Sequence, residues 1–496
     1  MTLGARRTKP AISVERQGQH LLTGTREARA PHALTLGDTL AALSHALDVS
    51  EGHEREHALR TAVIGLRIGR RLGLPERQLA DLHHALLLKD LGASANSARL
   101  YHLFGRDDAR LRRALRRIDL ERLREGSTLV FNQLVGAVKG PWRLKYLLDL
   151  GLGRFDLVAH LARTHAERGA RLAAEMGLGD GVAAAIASAS ERYDGSGAPA
   201  GAAGEAIPLA GRIVALAQAA AQSFGDGGRS AAVELARRYA GSWFDPDVAA
   251  AFEEPLVSGD LDETLRHDRV WHELASVAPR EEPVDIDDEL FGRVAEVFGH
   301  VVDAKSAWTV RHSSRVRVVA LGMFDQLVAP GDAPERRRAL ARGASLHDIG
   351  TLGVSNAVLE KGSSLDEVEL EVVRRHTAYG EHILSWADAF AETVPLAAGH
   401  HERPDGRGYH GAVPAGLLPF DVRLLAVADQ FEALTAARPH REAFSAEEAL
   451  SILASEAGAG VDAEALAALE RYLATPAAAE MLDPRRFDPE EMLVIA

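Results

Sequence analysis

The 496-residue chain contains no cysteine, few aromatic residues and no long apolar run. Without cysteine it can form no disulfide, no iron–sulfur cluster and no thiolate zinc site. Aromatic residues make up 5% of the sequence, and the formal net charge is −14. A surface of that sign argues against general binding to a nucleic-acid backbone, which requires a basic face.

Targeting and membrane signals are equally scarce. The opening stretch, "MTLGARRTKPAISVERQGQH", has basic side chains but no apolar core of signal-peptide length. No later segment has the roughly 18 consecutive apolar residues that a transmembrane helix needs. We therefore expect a cytoplasmic protein with no nucleic-acid or membrane partner. Residues 1–33 lack periodicity and are predicted to be a disordered arm.

The rest of the chain is dominated by Ala, Leu, Arg and Glu at helical spacing, which predicts an all-α protein. The pattern occurs twice: "HVVDAKSAWTVRHSSRV", near residue 300, matches "HALDVSEGHEREHALRT", near residue 45. From His165 and His376 onward the two copies align without a gap. Chance similarity between Ala-rich helices would not keep that register across loops, so the sequence predicts two tandem domains.

The predicted boundaries follow from this duplication. The first copy covers residues 36–255 and contains a helical insertion at about 95–160, which carries a strongly basic run. The second copy covers residues 290–496, and the acidic stretch at 279–290 is the predicted linker. Duplicated helical domains share apolar faces, so we expect the halves to pack together, with the first acting as a regulator or a scaffold.

The two copies differ mainly at histidine and aspartate positions, while turn glycines and apolar helix faces persist. The replacements, second copy to first, are His347 to Lys89, His400 to Ala189, His401 to Ser190 and Asp429 to Gln218. A single histidine of this kind is usually structural. A structural set, however, has no reason to vanish together, so the pattern predicts that the first copy has kept its fold and lost a metal site.

Seven side chains of the second copy form the predicted metal-binding set. They are His312, His347, Asp348, His376, His400, His401 and Asp429. Imidazole and carboxylate serve first-row metals well, and seven donors are too many for one ion, so two divalent ions are expected. The mixed nitrogen and oxygen set favours iron or manganese, and Asp348 is the expected bridge. Two such ions can activate a water and stabilise an in-line phosphoryl displacement.

The second copy resembles the HD-GYP family of bacterial metal-dependent phosphodiesterases. The resemblance rests on "HDIG", "HHERPDGRGYH", "LPFDVRLLAVADQFEALTAARPHREAFS" and the upstream "HSSRV"; the first copy shares it in weaker form. It implies an all-α architecture of two tandem HD-domain-like domains. It also implies His347 and Asp348 as catalytic residues, the seven ligands above, and hydrolysis of a cyclic dinucleotide, above all cyclic di-GMP, to a linear dinucleotide or GMP.

The chain departs from the family pattern at three positions. Trp308 stands where three-metal members carry a glutamate, which favours two metals. Thr351 replaces the lysine that follows the HD motif, and His410 replaces the proline of Gly-Tyr-Pro. Because that loop is linked to docking of diguanylate cyclase domains, this partnership is in doubt. A homodimer is compatible with the sequence.

The substrate-binding candidates are polar residues close to the predicted ligands. They are Arg403, Arg407, Lys361 and Thr351. The arginines could replace the lost positive charge toward a phosphate, although each could equally be a solvated loop residue. Two alternatives to cyclic di-GMP hydrolysis stay open. One is a phosphohydrolase of another nucleotide, such as cyclic GMP-AMP, and the other is a signalling module without catalysis.

Overall fold

The computed structural model describes residues 35–104, 157–257, 265, 269–280, 288–409, 417–438 and 441–482. The described residues form twenty α-helices and no β-strand, so the all-α prediction is confirmed. The predicted disordered arm, most of the insertion and the centre of the linker lie outside these residues. The domain boundaries given above therefore stay predictions. None of the described helices has the length and hydropathy needed to cross a membrane.

The helices are numbered here in chain order. The first nine are α1 (Leu36–Glu51), α2 (His57–Arg71), α3 (Glu76–Leu88), α4 (Ser97–Phe104), α5 (Leu157–Glu175), α6 (Asp180–Ser188), α7 (Leu209–Tyr239), α8 (Pro246–Val257) and α9 (Val270–Val277). The next six are α10 (Asp288–Asp303), α11 (His312–Phe324), α12 (Pro334–Leu346), α13 (Asn356–Leu359), α14 (Glu367–Arg374) and α15 (His376–Leu384). The last five are α16 (Val394–Gly399), α17 (Phe420–Thr435), α18 (Ala446–Ser455), α19 (Ala463–Leu473) and α20 (Pro476–Leu482).

The duplication is visible in the way α2 and α11 begin. Each starts at a histidine that directly follows a residue in the left-handed region, Glu56 (φ 62°) and Arg311 (φ 60°). Such a backbone costs a non-glycine residue about 1–2 kcal/mol. In each copy an aspartate one helix earlier accepts the backbone N–H that follows the histidine: both Asp303 carboxylate oxygens lie 3.1 Å from Ser313 N. The aspartate thus caps the helix and fixes the direction of its first side chain.

Among the described residues, the two halves share the larger of two hydrophobic cores. That core joins α1–α3 and α7 to α10, α15 and the 3₁₀ helix Ile349–Gly353, while a smaller core lies within the second half alone. Leu43 and Leu47 of α1 and Ile349 are each almost fully buried in it. A methyl group added to Gly353 would lie 3.2 Å from Val49 of α1. The prediction that the halves pack together is confirmed, and the first half directly supports the segment that follows the HD motif.

Candidate metal centre

The ends of four helices and the middle of a fifth bring the seven predicted donors together. His312 begins α11, His347 and Asp348 follow α12, His376 begins α15, His400 and His401 follow α16, and Asp429 lies within α17. Five of the seven are buried, and Asp348 and His401 are partly exposed. Their ligand atoms form three overlapping groups, each with all atoms within 4.8 Å of one another. In the described residues, all such groups lie in the second half.

One group consists of His312, His347 and Asp429. Its two imidazole Nε2 atoms are 3.3 Å apart, and His312 Nε2 lies 3.3 Å from Asp429 Oδ1. A second group consists of His376, His400 and His401. The two groups supply three protein donors each, which leaves room for water or substrate on an ion of four to six ligands.

Asp348 lies between the two groups and turns one oxygen toward each. Its Oδ1 is 3.2 Å from His376 Nε2 and 3.6 Å from His400 Nε2. Its Oδ2 is 3.6 Å from His312 Nε2 and 3.8 Å from His347 Nε2. This is the orientation that a bridging carboxylate requires.

Asp429 likewise turns one carboxylate oxygen toward each of the two groups. Its Oδ1 faces His312 and His347, at 3.3 and 3.9 Å from their Nε2 atoms. Its Oδ2 lies 3.8 Å from His401 Nδ1. Sequence reasoning assigned a bridging geometry to Asp348 but not to Asp429.

The imidazole orientations fit a bound cation. His376 Nδ1 lies 2.6 Å from the Val373 carbonyl, and His400 Nδ1 lies 2.9 Å from the Ala397 carbonyl. With Nδ1–H donated to a carbonyl, each ring keeps its lone pair on Nε2. The two Nε2 atoms are only 3.1 Å apart, where facing lone pairs repel unless they share a cation. Together with two carboxylates, these donors suit divalent first-row metals.

Burial and the neighbouring charges shift the pKa values of several of these donors. Burial lowers the pKa of His347 to about 4 and holds the pKa of His401 well below its usual value, so both rings are neutral near pH 7. Burial opposes ionisation of Asp348, but His347 and the close approach of His376 and His400 outweigh it and keep its pKa well below the usual range. The carboxylates have the opposite effect on two other rings: Glu432 and Asp429 raise the pKa of His312 against the effect of burial, and Asp348 raises that of His376.

The four substrate-binding candidates have different surroundings. Thr351 is partly buried in the 3₁₀ helix, and its N–H donates to the Asp348 carbonyl at 2.8 Å. Lys361 pairs with Glu369. Arg407 is exposed, and its backbone N–H donates to Asp405.

Arg403 forms ion pairs at 3.0 Å with both Asp405 and Glu456. A phosphate would have to compete with these two carboxylates for the guanidinium. The substrate roles of the four residues stay predictions. The family loop that contains His410 lies outside the described residues from that position to residue 416.

Three residues at the site were missed by sequence reasoning. Glu432 accepts a hydrogen bond from His312 Nδ1 at 2.5 Å. The Tyr409 ring lies 4.4 Å from the His401 ring, and the Arg374 guanidinium lies 5.5 Å from the Tyr409 centroid. For Glu432 a signal was available: it stands one helical turn after Asp429 and aligns with an alanine in the first copy. Tyr409 is the tyrosine at the Gly-Tyr-Pro position of the family, so the sequence marked it as well. No comparable signal marks Arg374.

The corresponding place in the first half holds an internal ion pair. Lys89, which replaces the motif histidine, is 2% exposed and contacts the carboxylate of Asp90. His53 Nε2 lies 3.6 Å from the same carboxylate. Burial opposes ionisation of Asp90, but Lys89 and His53 outweigh it and hold the pKa of that carboxyl well below its usual range. The lysine ammonium thus supplies a positive charge beside a carboxylate that would otherwise be buried alone.

Replacing Lys89 with methionine is expected to destabilise the protein by about 3 kcal/mol, because it leaves Asp90 buried without its cation. Chemical denaturation of the variant measures this loss. The Lys89→Met/Asp90→Asn double variant removes both charges and should recover much of it. A Lys89→Met protein as stable as wild type would contradict this role.

Comparisons with known proteins agree with the fold. The model of the HD domain family matches residues 159–248 and 296–465, which fall in both halves. The chain is 34% identical to 3′3′-cGAMP-specific phosphodiesterase 3 of Vibrio cholerae over 90% of its own length and 96% of the relative's. It is 32% identical to the cyclic di-GMP phosphodiesterase response regulator RpfG of Xanthomonas campestris, over 42% of this chain and 54% of that protein.

A solved structure shows the same likeness in three dimensions. The crystal structure of the cyclic GMP-AMP specific phosphodiesterase V-cGAP3 of V. cholerae superposes with a TM-score of 0.60 and 32% sequence identity. The match covers 89% of this chain and 98% of that one. With the HD motif, the duplicated helical fold and these whole-length similarities in agreement, the chain belongs to the HD-GYP family of HD-domain phosphodiesterases.

Proposed function

We propose that the second half hydrolyses one phosphodiester bond of a 3′3′-linked cyclic dinucleotide, with two divalent ions, iron or manganese, as cofactors. The observation that carries this proposal is the convergence of seven donors from five helices, in which Asp348 and Asp429 each divide their oxygens between two groups of histidines. The catalytic assignment of His347 and Asp348 belongs to the same proposal.

When bound, divalent ions supply Lewis acidity that activates water and stabilises charge on a phosphoryl group. The protein's residues do the rest. His347, His376 and His400 each have their Nδ1 atom beside a backbone carbonyl three residues earlier, so their Nε2 atoms are held in fixed directions. Asp348 and Asp429 supply negative charge between the histidines. Hydrolysis then adds one water across one ring P–O bond: the water oxygen bonds to phosphorus, and the departing sugar oxygen takes a proton.

The open side of the site offers contacts for the rest of a nucleotide. Tyr409 is 41% exposed and stands against His401, and Arg374 is exposed beside it. An aromatic face of this kind can stack on a base for about 1–3 kcal/mol. A guanidinium can bind a phosphate through two parallel hydrogen bonds. We therefore add Tyr409 and Arg374 to the substrate-binding candidates.

For the base identity we favour 3′3′-cGAMP over cyclic di-GMP. The V. cholerae relative named for 3′3′-cGAMP matches this chain across both halves, including the one without a complete ligand set. The X. campestris cyclic di-GMP phosphodiesterase matches less than half of the chain. This order differs from the one expected from the motifs alone, which do not distinguish the two substrates.

Product analysis tests both the proposed substrate class and the proposed base preference. Purified protein, loaded with Mn²⁺ or with Fe²⁺ under anaerobic conditions, is incubated with 3′3′-cGAMP, cyclic di-GMP and a simple aryl phosphodiester. We expect ring opening of both dinucleotides, with a higher kcat/KM for 3′3′-cGAMP. A higher kcat/KM for cyclic di-GMP would overturn the base preference alone. Turnover of the aryl phosphodiester at the same rate as the dinucleotides, or no turnover by metal-loaded protein, would overturn the substrate class.

A further inference from the structure

Glu432 is a buried carboxylate directly behind one of the predicted ligands. It is 2% exposed, and its Oε2 atom lies 2.5 Å from His312 Nδ1, on the far side of the ring from the site. His312 Nε2 faces His347 and Asp429 in the site. One imidazole therefore connects Glu432 to the donor cluster.

His312 differs from three of the other histidines in the partner of its Nδ1 atom. His347, His376 and His400 have the Nδ1 atom close to the carbonyl three residues earlier, at 2.8, 2.6 and 2.9 Å respectively. His312 is the first residue of α11, and the carbonyl three residues earlier, that of Thr309, accepts the His312 backbone N–H at 3.0 Å. For His312, the Glu432 carboxylate of α17 lies at Nδ1, in the place that a backbone carbonyl takes at the other three histidines.

Two guanidinium groups compensate the buried charge of Glu432. Arg315 Nη1 lies 3.5 Å from Oε1, and Arg438 Nη2 lies 3.6 Å from Oε2. A carboxylate held in this way on three sides has a fixed position.

The first copy provides an independent observation. Its gap-free register with the second copy places Ala221 opposite Glu432, as it places Gln218 opposite Asp429. The histidine at the start of α2 and Arg60, the counterpart of Arg315, are both kept. Arg60 instead donates to the Leu265 carbonyl at 3.0 Å. The glutamate is thus absent where the metal ligands are absent, although its neighbours in the fold remain.

We propose that Glu432 is a positioning residue for the metal centre: it holds His312 with the proton on Nδ1 and the lone pair on Nε2, directed at a metal ion. This inference rests on the proposed metal centre. A carboxylate behind a ligating histidine fixes the ring and raises its basicity, and losing such a partner typically costs 10–100-fold in metal affinity or activity. Glu432 itself would touch neither metal nor substrate.

The test is metal retention by the holoprotein. Wild-type, Glu432→Gln and Asp421→Asn proteins are titrated with a chelator, and bound metal is quantified at each concentration. Asp421→Asn is the control, because it removes a carboxylate of the same helix that pairs with Arg336 away from the site. We expect Glu432→Gln to lose metal at a chelator concentration about 10–100-fold lower than wild type, while Asp421→Asn matches wild type.

Two further measurements distinguish a positioning role of Glu432 from a loss of folding and from the absence of a metal centre. Thermal unfolding of the metal-free proteins measures the purely structural cost of each substitution. Should Glu432→Gln fail to fold, Glu432→Asp keeps the charge but withdraws it by one methylene, and an intermediate chelator midpoint is expected. A wild-type midpoint in whichever variant folds would overturn the inference while leaving the proposed function intact. Absence of metal from the wild-type protein would overturn both.

Discussion

Asp348→Asn is expected to lower kcat/KM for cyclic-dinucleotide hydrolysis by at least about 10³-fold, or roughly 4 kcal/mol of transition-state stabilisation. The reason is the position of this carboxylate: its two oxygens face two different groups of histidines. An amide nitrogen in place of one oxygen removes both the charge and one donor atom. The measurement is kcat/KM under saturating metal, with metal content determined on the same sample.

The duplication provides a matched control. Asp90 occupies the position of Asp348 in the first half, so Asp90→Asn makes the same chemical change where the ligand set is incomplete. We expect this variant to lose stability but to keep its activity and its metal. Asp348→Asn with more than a tenth of wild-type activity, or Asp90→Asn with an equal loss, would contradict the assignment of catalysis to the second half.

Gly350→Ala is the second variant with a large expected effect. A methyl group at this position would lie 1.9 Å from the His376 carbonyl oxygen and 2.6 Å from the Gly380 backbone nitrogen. Neither backbone atom can move without shifting α15, whose first residue is a predicted metal ligand. We expect a loss of about 3 kcal/mol or more in the free energy of unfolding. Bound metal should also decrease, because Asp348 and His376 are displaced from each other.

Gly92→Ala is the control that separates the loss of stability expected for Gly350→Ala from its loss of metal. A methyl group on Gly92 would meet the His165 carbonyl oxygen at 2.1 Å, so the clash is nearly the same in the first half. Both variants should unfold at lower denaturant concentration than wild type. Metal per folded chain should decrease only in Gly350→Ala. Equal metal content in the two folded variants would mean that this close approach does not align the ligands.

The sequence sufficed to predict the features that depend on residue type and periodicity. Helical spacing predicted the all-α fold. The comparison of two internal copies predicted the ligand set, because the first copy retains helix faces and turn glycines while replacing residues such as His347 and Asp429.

Side-chain direction could not be obtained in this way. The two oxygens of Asp429 face different groups of histidines, and this orientation depends on the side-chain rotamer within α17. The ion pair of Arg403 with Glu456 joins residues 53 positions apart, so a free loop arginine and a paired one look alike in the sequence. Arg311, directly before the helix that begins with His312, has a left-handed backbone. The sequence gives no hint of this, because the position is occupied by neither glycine nor asparagine.

The role of the first half also depends on packing that the sequence does not specify. Helix α1 contributes Leu43 and Leu47 to the core shared with the 3₁₀ helix that follows Asp348. This arrangement supports the scaffold alternative, because the segment carrying the HD motif is partly buried by the other half. It also explains why a domain without a complete ligand set keeps its apolar faces.

The most direct test of this account is the number and place of bound metals in the wild-type protein. Elemental analysis after anaerobic purification from metal-replete cells gives the number, and anomalous diffraction from crystals of the same sample gives the positions. The account predicts two ions per chain, both among the seven donors of the second half and none beside Lys89. A single ion, ions bound elsewhere, or a second half without metal would contradict it.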